Sequence, residues 1–175
     1  MNLPNKLTTL RVVAIPVFLI VLYVNFAYAR YVAVAIFILA SITDYLDGHI
    51  ARKRGLVTDF GKFMDPLADK ALVTAAMLML VAWGDMPAWV LAVVLIREFA
   101  VSGMRMIAAA DGKVIAAAFS GKVKTASTMV CIVIMLFDFS PVLNTVCWVV
   151  ILVTTVYSGI EYFAKNRDVV DLGDM

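Results

Sequence analysis

Six continuous apolar runs of roughly 20 residues follow one another along the chain, and that is the length an α-helix needs to cross about 30 Å of hydrocarbon. They read approximately as Thr8 to Ala27, Tyr31 to Arg52, Phe60 to Trp83, Pro87 to Ala109, Lys122 to Phe137 and Val142 to Phe163. The runs are continuous rather than alternating with a period of two, which disfavours a membrane β-barrel. With 63% hydrophobic and 16% charged residues, the balance is far from that of a soluble domain. The expectation is an all-α polytopic membrane protein, a bundle of about six transmembrane helices that takes up residues 1–175 as a single domain.

Orientation is read from the Lys and Arg bias of the connections. Lys6 and Arg11 stand at the first end, Arg52, Lys53 and Arg54 follow the second run, Lys113, Lys122 and Lys124 flank the fourth connection, and Lys165 and Arg167 follow the last run. The alternate connections carry Arg30, Asp85 and Asp138. Both termini and the connection after the second run are therefore expected in the cytoplasm. A formal net charge of +2, without a long basic run, gives no reason to expect nucleic-acid binding. A cleaved signal peptide ending near Ala27-Tyr28-Ala29 is the rival reading of the first run. Basic flanks and alanines are common around ordinary first spans, so a retained helix is preferred. Cys131 and Cys147 are isolated in apolar stretches and are expected to be small packing residues.

Within this apolar chain four aspartates fall in the arrangement Asp44-x-x-Asp47-Gly48-x-x-Ala51-Arg52 followed by Gly61-x-x-x-Asp65-x-x-x-Asp69. Ionisable groups within or beside membrane spans are costly and mark functional sites by default. At about 100° per residue, Asp44 and Asp47 lie about 60° apart on one helix, and Asp65 and Asp69 about 40° apart on the next. Each pair shares a face, and a short connection between the helices would bring the two faces together. Carboxylates so placed repel one another and are driven towards protonation unless a cation lies between them. All-oxygen ligation suits Mg²⁺ or Mn²⁺, whereas zinc would recruit His or Cys, and two divalent ions about 3.5–4 Å apart would clamp a diphosphate. Gly48, Ala51 and Gly61 either let helices approach closely or let a nucleotide lie against the backbone. Arg52 is a phosphate ligand or an interfacial anchor. Pro66 disfavours regular helix at Asp65 and is expected to kink the third helix if that helix has already begun.

Asp44, Asp47, Gly48, Ala51, Arg52, Gly61, Asp65 and Asp69 reproduce the signature of the CDP-alcohol phosphatidyltransferase family, which this chain resembles. The resemblance implies a six-helix membrane bundle, usually a homodimer, in which an alcohol attacks the diphosphate of a CDP-linked lipid or alcohol and CMP is released. It implies that Asp44, Asp47 and Asp65 are metal ligands, with Asp69 a shared ligand or the general base, and that Asp44, Gly48, Ala51 and Arg52 belong to the CDP site. Asn5 and Thr8 are weaker candidates for nucleotide or diphosphate contacts, Thr8 being alternatively a cap of the first helix.

Three further segments resemble the branch of the family that forms phosphatidylglycerophosphate: Asn2 to Arg11, Arg97-Glu98-Phe99 through Arg105, and Gly121-Lys122-Val123-Lys124-Thr125. The expected substrates are then CDP-diacylglycerol and sn-glycerol 3-phosphate, in the plasma (inner) membrane of a bacterium. A dianionic acceptor phosphate calls for Arg or Lys, and Arg105, Lys122 and Lys124 are the candidates. The alternative is that the lysines only enforce topology while Arg97 and Glu98 form a structural ion pair. Inositol phosphate, inositol or serine as acceptor is the alternative within the same chemistry. A cation or proton transporter using the aspartates as a relay is the alternative outside it.

Overall fold

The computed structural model describes the backbone of residues 3–167 except 25, 55–58, 111, 114 and 117, and the side chains of residues 12–167 except those five gaps, 44–54, 59–63 and 65. Among the described residues six α-helices account for the apolar runs: α1 (Leu3–Val24), α2 (Ala29–Arg54), α3 (Asp59–Trp83), α4 (Ala88–Ala110), α5 (Phe119–Phe137) and α6 (Pro141–Lys165). Within them, Pro66–Trp83, Phe119–Phe137 and Pro141–Lys165 are long and apolar enough to cross a membrane. The shorter apolar stretches Val12–Val24 and Ala29–Thr43 lie in α1 and α2. In α4 the apolar stretch is interrupted by Arg97, Glu98 and Arg105.

Two expectations about helix ends are corrected. Thr8 does not cap α1, because the helix begins at Leu3 and Thr8 stands in its second turn. Nor does Pro66 keep Asp65 out of the helix: α3 starts at Asp59 and runs through both residues. Pro66 has no N–H to offer the carbonyl of Lys62, a loss that membrane helices tolerate where neighbours or solvent serve the freed group.

The core draws on every helix, with Phe18 and Leu22 from α1, Phe37 from α2, Leu72, Met77 and Leu80 from α3, Val90 from α4, Ile132 and Met135 from α5, and Ile151 from α6. Cys131 and Cys147 are free and buried in the same core, as packing residues should be. Large apolar side chains also cover the outside: Ile20, Ile96, Phe99, Val153 and Ile160 are all exposed. Small polar residues such as Thr128, Thr155 and Ser158 are inside. A soluble protein would not present so wide an apolar exterior, whereas a bundle in lipid faces it outward and packs helices through small and weakly polar residues.

Packing is uneven. α1 lies against α2 and α3, α5 against α6 and α2, and α4 mainly against α6, while α2 and α3 also touch directly. Three of the connections meet at one end. Arg30, at the start of α2, reaches Asp85 between α3 and α4 at 3.4 Å and Asp138 between α5 and α6 at 3.0 Å. Its guanidinium lies 4.3 Å above the Trp83 ring. The amide of Asn144 donates to both carboxylates, at 3.1 and 3.2 Å. Asp138 closes α5 in the left-handed conformation at φ 54°, and Ser140 caps α6 by accepting from the Leu143 N–H at 3.2 Å. The charges that distinguish the alternate connections therefore fasten them together.

Burial pushes the Asp85 carboxyl above its ordinary value of 3.8, Arg30 opposing the shift and Asp138 adding to it. The native state thus holds this proton more tightly than the unfolded chain, so the contribution of Asp85 to stability is fully present below 3.8 and is lost as pH rises through the raised native pKa. Arg30→Met removes the opposing charge and raises that pKa further. Because the Arg30 side chain is 31% exposed, the expected loss near neutral pH is about 1–2 kcal/mol rather than the value of a fully buried pair. The loss should shrink in acid. Thermal unfolding in detergent at about pH 7 and about pH 4.5 measures this, and an equal deficit at both would refute the carboxylate account.

Candidate active site at the end opposite the Arg30 cluster

The last turns of α2 and the first turns of α3 lie at the other end of the bundle, and they carry the acidic signature. α2 is helical through Asp44, Asp47, Gly48, Ala51 and Arg52, and α3 through Gly61, Asp65 and Asp69. The shared-face spacing expected from sequence therefore holds along both backbones. The side chains of Asn5, Thr8, Asp44, Asp47, Gly48, Ala51, Arg52, Gly61 and Asp65 lie outside the described residues. Asp69 is described, and it is half-buried. Two of the signature aspartates thus stand on each of two helices that touch.

Next to Asp69 the chain turns basic. Lys70 extends from α3 to α4, where its ammonium meets the Ser102 hydroxyl at 2.5 Å and stands 3.7 Å from Glu98 Oε2. The other oxygen of Glu98 accepts from Lys124 of α5 at 2.7 Å and from its neighbour Arg97 at 2.9 Å. Helices α3, α4 and α5 are thus joined through one carboxylate. Arg97 is accommodated by two glycines. A Cβ at Gly159 would stand 3.3 Å from Arg97 Cγ, and one at Gly121 would stand 3.8 Å from a terminal guanidinium nitrogen. Further along α4, Arg105 donates to the hydroxyl of Tyr162 on α6 at 3.0 Å and lies 5.5 Å from the centre of its ring.

The three cations expected to face an acceptor phosphate occupy different settings. Lys122 is exposed, Arg105 is exposed but tied to the buried Tyr162, and Lys124 is only 5% exposed and committed to Glu98. The ion pair between Arg97 and Glu98, considered from sequence, is present and is part of a larger cluster. Sequence reasoning did not single out Lys70, Ser102, Gly159 or Tyr162. Lys70 had a signal, since it is a second charge directly beside Asp69 at the head of an apolar run. Ser102, Gly159 and Tyr162 had none, because their partners lie on other helices.

The family model for CDP-alcohol phosphatidyltransferase matches residues 1–157. The chain belongs to the CDP-alcohol phosphatidyltransferase family. A relative from Bacillus subtilis (strain 168), CDP-diacylglycerol–glycerol-3-phosphate 3-phosphatidyltransferase, is 44% identical over 94% of this chain and 95% of its own length. A relative of the same name from Salmonella paratyphi A is 36% identical over 95% of each chain. A probable phosphatidylglycerophosphate synthase from Mycobacterium tuberculosis (strain CDC 1551 / Oshkosh) is 41% identical over 96% of this chain and 83% of its own length. As a CDP-alcohol phosphatidyltransferase, the protein places its eight signature residues on two helices that touch, with a cluster of cations on the helices beside them.

Proposed function

We propose that this protein transfers the phosphatidyl group from CDP-diacylglycerol to sn-glycerol 3-phosphate, releasing phosphatidylglycerophosphate and CMP in phospholipid biosynthesis. The observation that carries this reading is the nearly full-length likeness to the Bacillus subtilis relative that bears that activity in its name. The cations of α3, α4 and α5 suit an acceptor that is itself phosphorylated better than they suit inositol or serine.

In this reaction the 1-hydroxyl oxygen of the acceptor bonds to the phosphorus that bears diacylglycerol. The bond from that phosphorus to the bridging oxygen breaks, and CMP leaves with the electron pair. Asp69 takes the hydroxyl proton, and no covalent enzyme intermediate is needed. Asp44, Asp47, Asp65 and Asp69 would hold two ions of Mg²⁺ or Mn²⁺, which would supply charge neutralisation at the diphosphate. Asp44, Gly48, Ala51 and Arg52, with Asn5 and Thr8, line the CDP site, Arg52 through its fork of donors. Arg105, Lys122 and Lys124 meet the acceptor phosphate. The diacylglycerol tails stay in the bilayer. A homodimer in a bacterial inner membrane, with the site and both termini in the cytoplasm, completes the reading, supported by the family resemblance and the Lys and Arg bias.

Purified protein in detergent with Mg²⁺, CDP-diacylglycerol and a panel of acceptors tests the assignment. CMP release and phosphatidylglycerophosphate are expected with sn-glycerol 3-phosphate. Turnover with inositol phosphate, inositol or serine in its place would overturn it, and ion flux without CDP-diacylglycerol would favour a transporter. Arg105→Ala should raise the acceptor KM by about 10- to 100-fold, the value of a lost charge-assisted contact, with a smaller change in the KM for CDP-diacylglycerol. Tyr162→Phe removes only the partner that orients Arg105, and should act in the same direction by about 2- to 10-fold. Equal effects on both substrates would take Arg105 out of the acceptor site.

A further inference from the structure

We propose that Glu98 is a positioning residue for the acceptor, holding the ammonium groups of Lys124 and Lys70 around the place where the dianionic phosphate of sn-glycerol 3-phosphate docks. The inference rests on the proposed acceptor. Glu98 sits in the middle of α4 beside the lipid-exposed Phe99, yet its own side chain is only 18% exposed. A carboxylate at such a depth needs one cation to be tolerated. This one has three within 4 Å, drawn from α3, α4 and α5: Lys70 at 3.7 Å, Arg97 at 2.9 Å and Lys124 at 2.7 Å.

The four groups together carry a charge of +2. Two cations crowded on one oxygen repel each other, and each additional buried charge adds a desolvation cost that a purely structural pair would not require. An anion of charge −2 would balance the cluster. Arg97 points the same way, since its Nε is buried with no hydrogen-bond partner among the described residues. The cluster is open on one side. The Lys70 side chain is 41% exposed, whereas that of Lys124 is 7% exposed, so an incoming phosphate meets Lys70 first.

The acceptor has a hydroxyl at one end and a phosphate at the other, and transfer requires both to be held at a fixed separation. Asp69 and Lys70 are consecutive residues of α3. Lys70 is held against α4 by the Ser102 hydroxyl at 2.5 Å together with the Glu98 carboxylate at 3.7 Å, and because Glu98 also holds Lys124 of α5 it ties the helix of the general base to the cations of the phosphate site. Its role is therefore one of geometry, exerted through the lysines and not by contact with the reacting atoms.

Glu98→Gln preserves shape and one acceptor oxygen but removes the charge that gathers the lysines. With both substrates varied in a CMP-release assay, it should raise the KM for sn-glycerol 3-phosphate about tenfold or more and leave that for CDP-diacylglycerol within about twofold. Glu98→Asp, which keeps the charge on a shorter arm, should recover part of the loss. Equal rises in both KM values, a fall in kcat alone, or no change would overturn the proposal. If Glu98→Gln does not survive extraction, Lys70→Gln carries the same expectation and the same contrary outcomes. A wild-type protein that used another acceptor and not sn-glycerol 3-phosphate would instead remove the proposed function, a result visible before any variant is made.

Discussion

Asp69→Asn should lower CMP release by about 10²- to 10⁴-fold, the usual contribution of a positioned general base, and by more if the residue also binds metal. Asparagine matches the size of aspartate and keeps an acceptor oxygen, but it can neither take the hydroxyl proton nor bring a negative charge. Asp69 is half-buried on α3, one residue before Lys70. Near-normal turnover would show that Asp69 is neither base nor essential ligand. A titration of Mg²⁺ against the variant then separates its two roles. A residual rate with unchanged metal dependence assigns it as base, and a marked shift to higher metal concentration assigns it as ligand.

Removal of divalent ions should abolish turnover, and Mg²⁺ or Mn²⁺ should restore it. Two carboxylates on α2 and two on α3 leave neighbouring helices with like charge at the same end of the bundle. Without a cation, either repulsion separates these faces or protons replace the missing charge. The ion should therefore also stabilise the fold, by about 2.7 kcal/mol at a hundred times its dissociation constant. Chelation is accordingly expected to lower the unfolding temperature as well as the rate, which provides a readout independent of catalysis. Full activity after exhaustive chelation would rule out the metal reading of the four aspartates. Restoration by Zn²⁺ in preference to Mg²⁺ would contradict the all-oxygen argument.

Much of the architecture was legible because it is local. An apolar run of about 20 residues specifies a membrane helix through its length, and the spacing of Asp44 with Asp47 and of Asp65 with Asp69 specifies two shared faces through the 3.6-residue period. The six runs correspond to α1–α6, although α1 begins and ends earlier than its hydrophobicity suggested. That difference misled the reading of Thr8. A threonine before an apolar run has the form of a cap, but Leu3 to Leu7 had already entered the helix. At Pro66 the local preference against helix at Asp65 is overridden, because α3 has already begun at Asp59.

What the sequence by itself determined is the helical membrane class, the acidic signature on successive helices, and the family to which that signature belongs. All three depend on residues close together in the chain. Only the tertiary structure decided which distant charges meet. Glu98 was visible as a costly membrane charge, but its ties to Lys70 and Lys124 depend on α3, α4 and α5 converging, and the seat of Arg97 depends on Gly121 and Gly159 of two other helices. Arg30, Asp85 and Asp138 likewise read as separate topology markers until the bundle closed and brought them together. Periodicity fixes the face on which a side chain stands, whereas the neighbour it meets is set by the packing of small residues between helices, which no single helix encodes.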